Sequence, residues 1–229
     1  MTVADWTIFD LFDGLDRAGP GERESLDRAL AGVAPDAAVL DAGCGRGADL
    51  PALLARVPQG RVVAVDTSPD FIAHVRAAFP AVQAEVADMA DPPGGPFDAI
   101  WSAGAVYHLG VGAALAAWRA HLAPGARVAF SDLCLTGPAP APAVTAFFAA
   151  EGVTLREAAA LEAEVRAAGY RIADAFWLPT EAWAAYYLPL ERRLDGLPEN
   201  AVARGFRDEI ALWRAHGGDF GYRLVVAQP

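Results

Sequence analysis

Short, unbroken apolar runs alternate with amphipathic stretches along most of this chain. Val62-Val63-Ala64-Val65 is the clearest run, of the kind found in strands covered on both faces of a parallel sheet. Similar runs predict strands over 37–42, 82–86, 97–101, 126–130, 170–177 and 220–226. Between them the apolar positions recur at helical spacing. Leu50, Leu53, Leu54 and Val57 share one face, and Phe71, Ile72, Val75 and Phe79 share another. Ser68 reads as the N-cap of that second helix and Pro69 as its first residue. Further helices are expected over 5–13, 21–34 (stripe Leu26, Ala29, Leu30, Val33), 113–122 and 143–150. A Thr154–Glu157 capping box should open another, ended by Gly169. Ala123-Pro124-Gly125 reads as a turn before the strand at 126.

Residues 180–217 are too many for a hairpin loop, and Val202, Phe206, Ile210 and Trp213 follow helical spacing. Strand–helix alternation therefore predicts an α/β fold. Its form is a doubly wound, mostly parallel seven-stranded Rossmann-like sheet with N-terminal helices and a helical insertion before the last strand. We expect one domain over 1–229: a helical cap (1–34), a core (35–179), a lid-like insertion (180–217) and a last strand (218–229).

Composition narrows the partners. A net charge of −11 argues against nucleic acid or an anionic membrane and leaves room for neutral or cationic small molecules. No apolar run is long enough to span a membrane, the N-terminal stretch lacks the pattern of a signal peptide, and a cytoplasmic protein is expected. Two cysteines, Cys44 and Cys134, make neither a disulfide framework nor a metal motif, and no metal site is readable. All eighteen basic residues besides histidine are arginine. Without lysine there can be no lysine Schiff base, no P-loop and no Tyr-x-x-x-Lys reductase site.

The chemistry is concentrated in Asp41-Ala42-Gly43-Cys44-Gly45-Arg46-Gly47. Placed between a strand and a helix, the alternating glycines allow a tight turn and close approach to a ligand. Dinucleotide turns usually read G-x-G-x-x-G and aim a helix N-terminus at pyrophosphate. Here a carboxylate precedes the first glycine; it would repel pyrophosphate and welcome a cation. S-adenosylmethionine, with its ammonium and sulfonium, fits that chemistry.

The order of motifs resembles the class I S-adenosylmethionine-dependent methyltransferases, within their small-molecule branch of the methyltransferase 11/25 type. On that resemblance Asp41, Gly43 and Gly45 belong to the cofactor turn. Asp66, with Thr67 beside it, ends the second strand where the family's ribose-binding acid stands; a carboxylate there can accept from both hydroxyls of a diol. Asp88 and Met89 after the third strand correspond to the adenine site. Leu122-Ala123-Pro124-Gly125-Ala126 matches the turn before the fifth strand, with Ala126 in place of a glycine. Ser102 is expected near the methionine moiety, and Arg17, beside Gly19-Pro20-Gly21, is expected to reach its carboxylate.

Residues after the fourth strand face the reacting methyl in that family. Tyr107 and His108 would flank the acceptor, with His108 suited to general-base work by the pKa of imidazole; packing alone would equally explain it. Trp6, Phe9, Trp183, Tyr186 and Tyr187 are candidates for an aromatic acceptor wall, suited to a flat ring or, through cation–π attraction, an amine. Asp91-Pro92-Pro93-Gly94 resembles the D-P-P-Y motif of amino-group DNA methyltransferases but precedes the fourth strand and lacks the aromatic. The expected activity is methyl transfer to a small acceptor by SN2 displacement. An NAD(P)-dependent oxidoreductase and a non-catalytic cofactor-binding protein remain open.

Overall fold

The computed structural model describes residues 6–15 and 17–229. In chain order its elements are α1 (Ile8–Phe12), α2 (Arg23–Ala29), β1 (Ala38–Ala42), α3 (Leu50–Arg56), β2 (Arg61–Asp66), α4 (Pro69–Ala78), β3 (Gln83–Val86) and β4 (Phe97–Ser102). There follow α5 (Val111–Trp118), β5 (Leu122–Leu135), α6 (Pro142–Ala150), β6 (Arg156–Glu157) and α7 (Ala158–Ala167). The chain continues with β7 (Arg171–Trp177), α8 (Thr180–Asp195), α9 (Ala201–His216) and β8 (Phe220–Gln228).

Seven strands run β3-β2-β1-β4-β5-β8-β7, and two-residue β6 pairs with the end of β5. β1 to β5 are mutually parallel, and β8 lies antiparallel between β5 and β7. The apolar runs explain why both faces are covered. Val39, Val62 and Ala64 pack with Leu26, Leu50, Leu53 and Ile72 on one face. Their neighbours Leu40, Val63 and Val65 pack with Trp118, Leu161 and Val165 on the other. A third core joins Leu11 and Phe12 to Trp183, Tyr187, Leu190 and Ile210 under α8 and α9.

Ser68 caps α4 as expected, its Oγ accepting from Phe71 N at 3.3 Å. Three expectations need correction. Both N-terminal helices are shorter; α2 stops at its C-cap Leu30, and Gly32 turns the chain at φ +82°. β5 begins at Leu122 and runs fourteen residues, so Pro124-Gly125 lies in a bulge where the register with β4 jumps from Phe97↔Leu122 to Ala99↔Arg127. The Thr154–Glu157 capping box does not form. Arg156 and Glu157 pair with Cys134 and Leu135, and Glu157 becomes the N-cap without a side-chain bond. Arg156 is drawn there by ion pairs to Asp132 (2.6 Å) and Glu164.

Candidate cofactor and acceptor site

The glycine turn leaves the carboxyl end of β1, where ligands of doubly wound sheets bind. Gly43 N and Cys44 N both donate to Val65 O at 2.9 Å, which ties the turn to β2. Gly43 has φ +80°, and a Cβ there would collide with the Cβ of Ala105, so only glycine fits. Asp66 clasps the same turn: Oδ2 accepts from Gly45 N and Oδ1 from Ser68 N, both at 2.9 Å. Each oxygen keeps a further lone pair. Thr67 beside it is exposed.

Three acids converge here. Asp41 is 4% exposed, and no described group donates to its carboxylate. Burial, then the charges of Asp49 and Asp66, push its pKa well above the usual carboxylate value, with only Arg17 opposing. Asp49, also buried, accepts from Arg17 Nη2 at 2.5 Å and from the Trp101 indole at 2.8 Å. Arg17 is thus brought to the turn by an ion pair the sequence did not announce. Asp49 and Trp101 were missed because each is defined by its distant partner; an acid just ahead of a helix stripe reads as an ordinary N-cap.

Asp88 is exposed and accepts from Ala90 N at 2.8 Å. Met89 reaches the glycine turn: its Cε lies 3.3 Å from where a Cβ on Gly43 would sit, and Trp118 Nε1 donates to its carbonyl at 2.8 Å. The Ser102 hydroxyl is wholly buried and donates to Ala42 O at 2.8 Å, joining the ends of β1 and β4.

The acceptor candidates divide. Tyr107 and His108 sit on a short 3-10 turn after β4, both exposed, with ring centroids 4.0 Å apart. His108 has no carboxylate partner among the described residues. Trp6 is buried in the helical core, its indole donating to Pro198 O at 2.8 Å, so it fills the core and has no donor left for a ligand. The side chain of Phe9 lies outside the described residues. Trp183 stacks on Tyr222 at 5.4 Å, and Tyr187 donates to Glu209 Oε1 at 2.6 Å. Glu209 was also missed; a lone acid on an amphipathic helix carries no sequence signal. Cys44 and Cys134 are buried thiols; burial is the main force raising the pKa of both, Cys134 to about 12. Among the described residues no cluster of His, Cys, Asp or Glu is arranged to hold a metal, and no helix is long and apolar enough to cross a membrane.

Residues 39–125 match the family model of a methyltransferase domain. Over 95 residues the chain is 35% identical to trans-aconitate 2-methyltransferase of Methylobacterium nodulans, a stretch covering 40% of this chain and 36% of that protein. The chain thus spans only about a third of that curated relative. Its fold matches an S-adenosylmethionine-dependent methyltransferase of Thiobacillus denitrificans in complex with S-adenosyl-L-homocysteine. That match has a TM-score of 0.75 at 18% identity and covers 98% of this chain and 99% of the other. Phosphoethanolamine N-methyltransferase 2 of Haemonchus contortus, in complex with S-adenosyl-L-methionine, matches with TM-score 0.73 at 17% identity, over 96% of this chain and 57% of that one. Residues 39–125 thus resemble a methyltransferase domain, and the whole chain has the Rossmann-like fold seen in S-adenosylmethionine-dependent methyltransferases.

Proposed function

We propose that this protein is an S-adenosylmethionine-dependent methyltransferase acting on a small-molecule acceptor. Asp41 carries the reading. A buried carboxylate flanked by two other acids, with one arginine in reach, is poorly satisfied alone and suited to a cationic ligand. A pyrophosphate would meet three negative charges at the same place.

When bound, the cofactor supplies an electrophilic sulfonium methyl. The protein's own work is placement, the chief demand of an in-line displacement. Asp41 pairs with the ammonium, and Gly43 and Gly45 let the backbone approach. Asp66, beside Thr67, would accept from the ribose diol, Asp88 would accept from the adenine amine, and Met89 would pack on the ring. Arg17, fastened to Asp49, would hold the methionine carboxylate. Ser102 steadies the adjoining strand ends. Tyr107 and His108 flank the acceptor, His108 as the base for its proton. Trp183 and Tyr187 wall an aromatic or cationic acceptor, and Trp6 braces that wall from behind. The relatives named above act on chemically different molecules, so the acceptor must be read from this chain's own residues. A cytoplasmic setting suits two free, buried cysteines.

Calorimetry tests the cofactor. S-adenosylmethionine should bind and NADH should not, and Asp66→Ala should abolish the binding. NADH binding with no response to S-adenosylmethionine would overturn the reading in favour of an oxidoreductase.

A further inference from the structure

The helical layer over the carboxyl edge holds an acid that the reading above does not use. Glu209 lies on α9 and faces α8, where the Tyr187 hydroxyl donates to its Oε1. Its second oxygen has no partner among the described residues. No arginine or histidine among the described residues pairs with it. On the same helix Arg207 is taken by Asp195 and Glu199, and Arg214 by Glu191.

Phenols surround this acid. Tyr186 and Tyr187 touch at a centroid distance of 4.9 Å, and Trp183 links Tyr187 (5.8 Å) to Tyr222 (5.4 Å). The Tyr222 hydroxyl lies 3.6 Å from where a Cβ on Gly104 would sit, which connects this cluster to the end of β4, just before Tyr107 and His108. The hydroxyls of Tyr186 and Tyr222 have no hydrogen-bond partner among the described residues either. The free oxygen of Glu209 and the hydroxyls of Tyr186 and Tyr222 thus lie near one another, between the helical layer and the end of β4.

The electrostatics here are one-signed. Burial pushes the pKa of Glu209 up, the charge of Glu151 at the end of α6 adds to the rise, and only the Tyr187 hydrogen bond opposes it. After burial itself, Glu209's charge raises the pKa of Tyr186 and Tyr187, so these phenols stay neutral and bring no positive charge to it. A buried carboxylate without a cation is unfavourable, and aromatic faces attract cations.

We propose that Glu209 is the acceptor-recognition group, and that the acceptor carries a cationic amine which pairs with it between Tyr186, Tyr187 and Tyr222. The proposal rests on the methyltransferase reading and adds the chemical class of its acceptor.

Calorimetry on the full chain saturated with S-adenosylhomocysteine tests it without turnover. The probes are tyramine, 2-phenylethylamine and tryptamine, each against its matching alcohol (tyrosol, 2-phenylethanol, tryptophol). At least one amine should bind tenfold or more tightly than its alcohol. Glu209→Gln, which keeps an oxygen for Tyr187, should erase that preference and leave the affinity for S-adenosylhomocysteine within twofold. In the unmodified protein the preference should fade on acidification, at a pH above the ordinary carboxylate range of about 4, while alcohol binding does not change. No preference for any amine, or a preference that survives in Glu209→Gln, overturns the proposal. Failure to bind S-adenosylhomocysteine at all would instead overturn the methyltransferase reading beneath it.

Discussion

Asp41→Asn separates what this site does for binding from what it costs the fold. The native carboxylate is 4% exposed, receives no hydrogen bond from a described group and faces the charges of Asp49 and Asp66. Asparagine keeps the shape and removes the charge. Relief of an unpaired buried charge should stabilise the ligand-free protein by about 1–2 kcal/mol, the usual scale for correcting a strained functional position. For a chain of this length that is a Tm higher by roughly 2–8 °C. The pH dependence gives a second reading. Because the folded-state pKa of Asp41 is raised, the native state holds a proton that the unfolded chain has already released. Stability of the ligand-free protein therefore falls as pH rises from the ordinary carboxylate pKa through the raised one. The variant should lack that slope. Binding moves the other way: loss of a charge-assisted contact of about 1.5–3 kcal/mol weakens S-adenosylmethionine by about 10- to 150-fold. Differential scanning fluorimetry across pH, with calorimetry, measures both. A variant that melts at or below the native temperature without ligand, or binds within twofold, would refute the reasoning.

Two other substitutions probe the edges of the site. His108→Ala should lower kcat on a turned-over acceptor by about 100-fold or more, leaving affinity for S-adenosylhomocysteine unchanged because the ring is exposed on its own short turn; undiminished turnover would remove it as the base. Gly43→Ala forces a side chain into φ +80° and against Ala105, for a loss of about 2–4 kcal/mol. Thermal unfolding should show a Tm lower by roughly 5–15 °C, and an unchanged Tm would mean that the turn admits a Cβ at this position.

The alternation of apolar runs was enough to foresee the sheet, because strands covered on both faces leave a continuous signature: Val62 to Val65 can be read without knowing what covers them. Asp66 was legible for a related reason, since its position at a strand end already says which edge it faces. Polar residues that acquire partners from afar were not. Ser131 and Asp132 look like the end of a strand, yet β5 continues through them because Ser131 Oγ accepts from Gly104 N (2.9 Å) and Asp132 holds Arg156. Asp49 joins the acids beside the glycine turn only through Trp101 and Arg17, and Glu209 meets the aromatic cluster only through Tyr187. Trp6 illustrates the converse: an aromatic near the N-terminus looks available for a ligand until Pro198, almost two hundred residues away, takes its donor.

The Arg17–Asp49 pair acquires another meaning beside α1. Phe12 stacks on Tyr186 at 6.3 Å, and Arg193 of α8 donates to Asp10 O at 3.0 Å, so α1 is riveted to the helical layer. Five residues beyond Phe12, Arg17 is riveted to Asp49, just after the glycine turn. The N-terminal stretch is thus fastened at two points, Phe12 on the helical layer and Arg17 beside the glycine turn. On the proposed reading, a ligand carboxylate that drew Arg17 from Asp49 would release the second of these fastenings and leave the first in place.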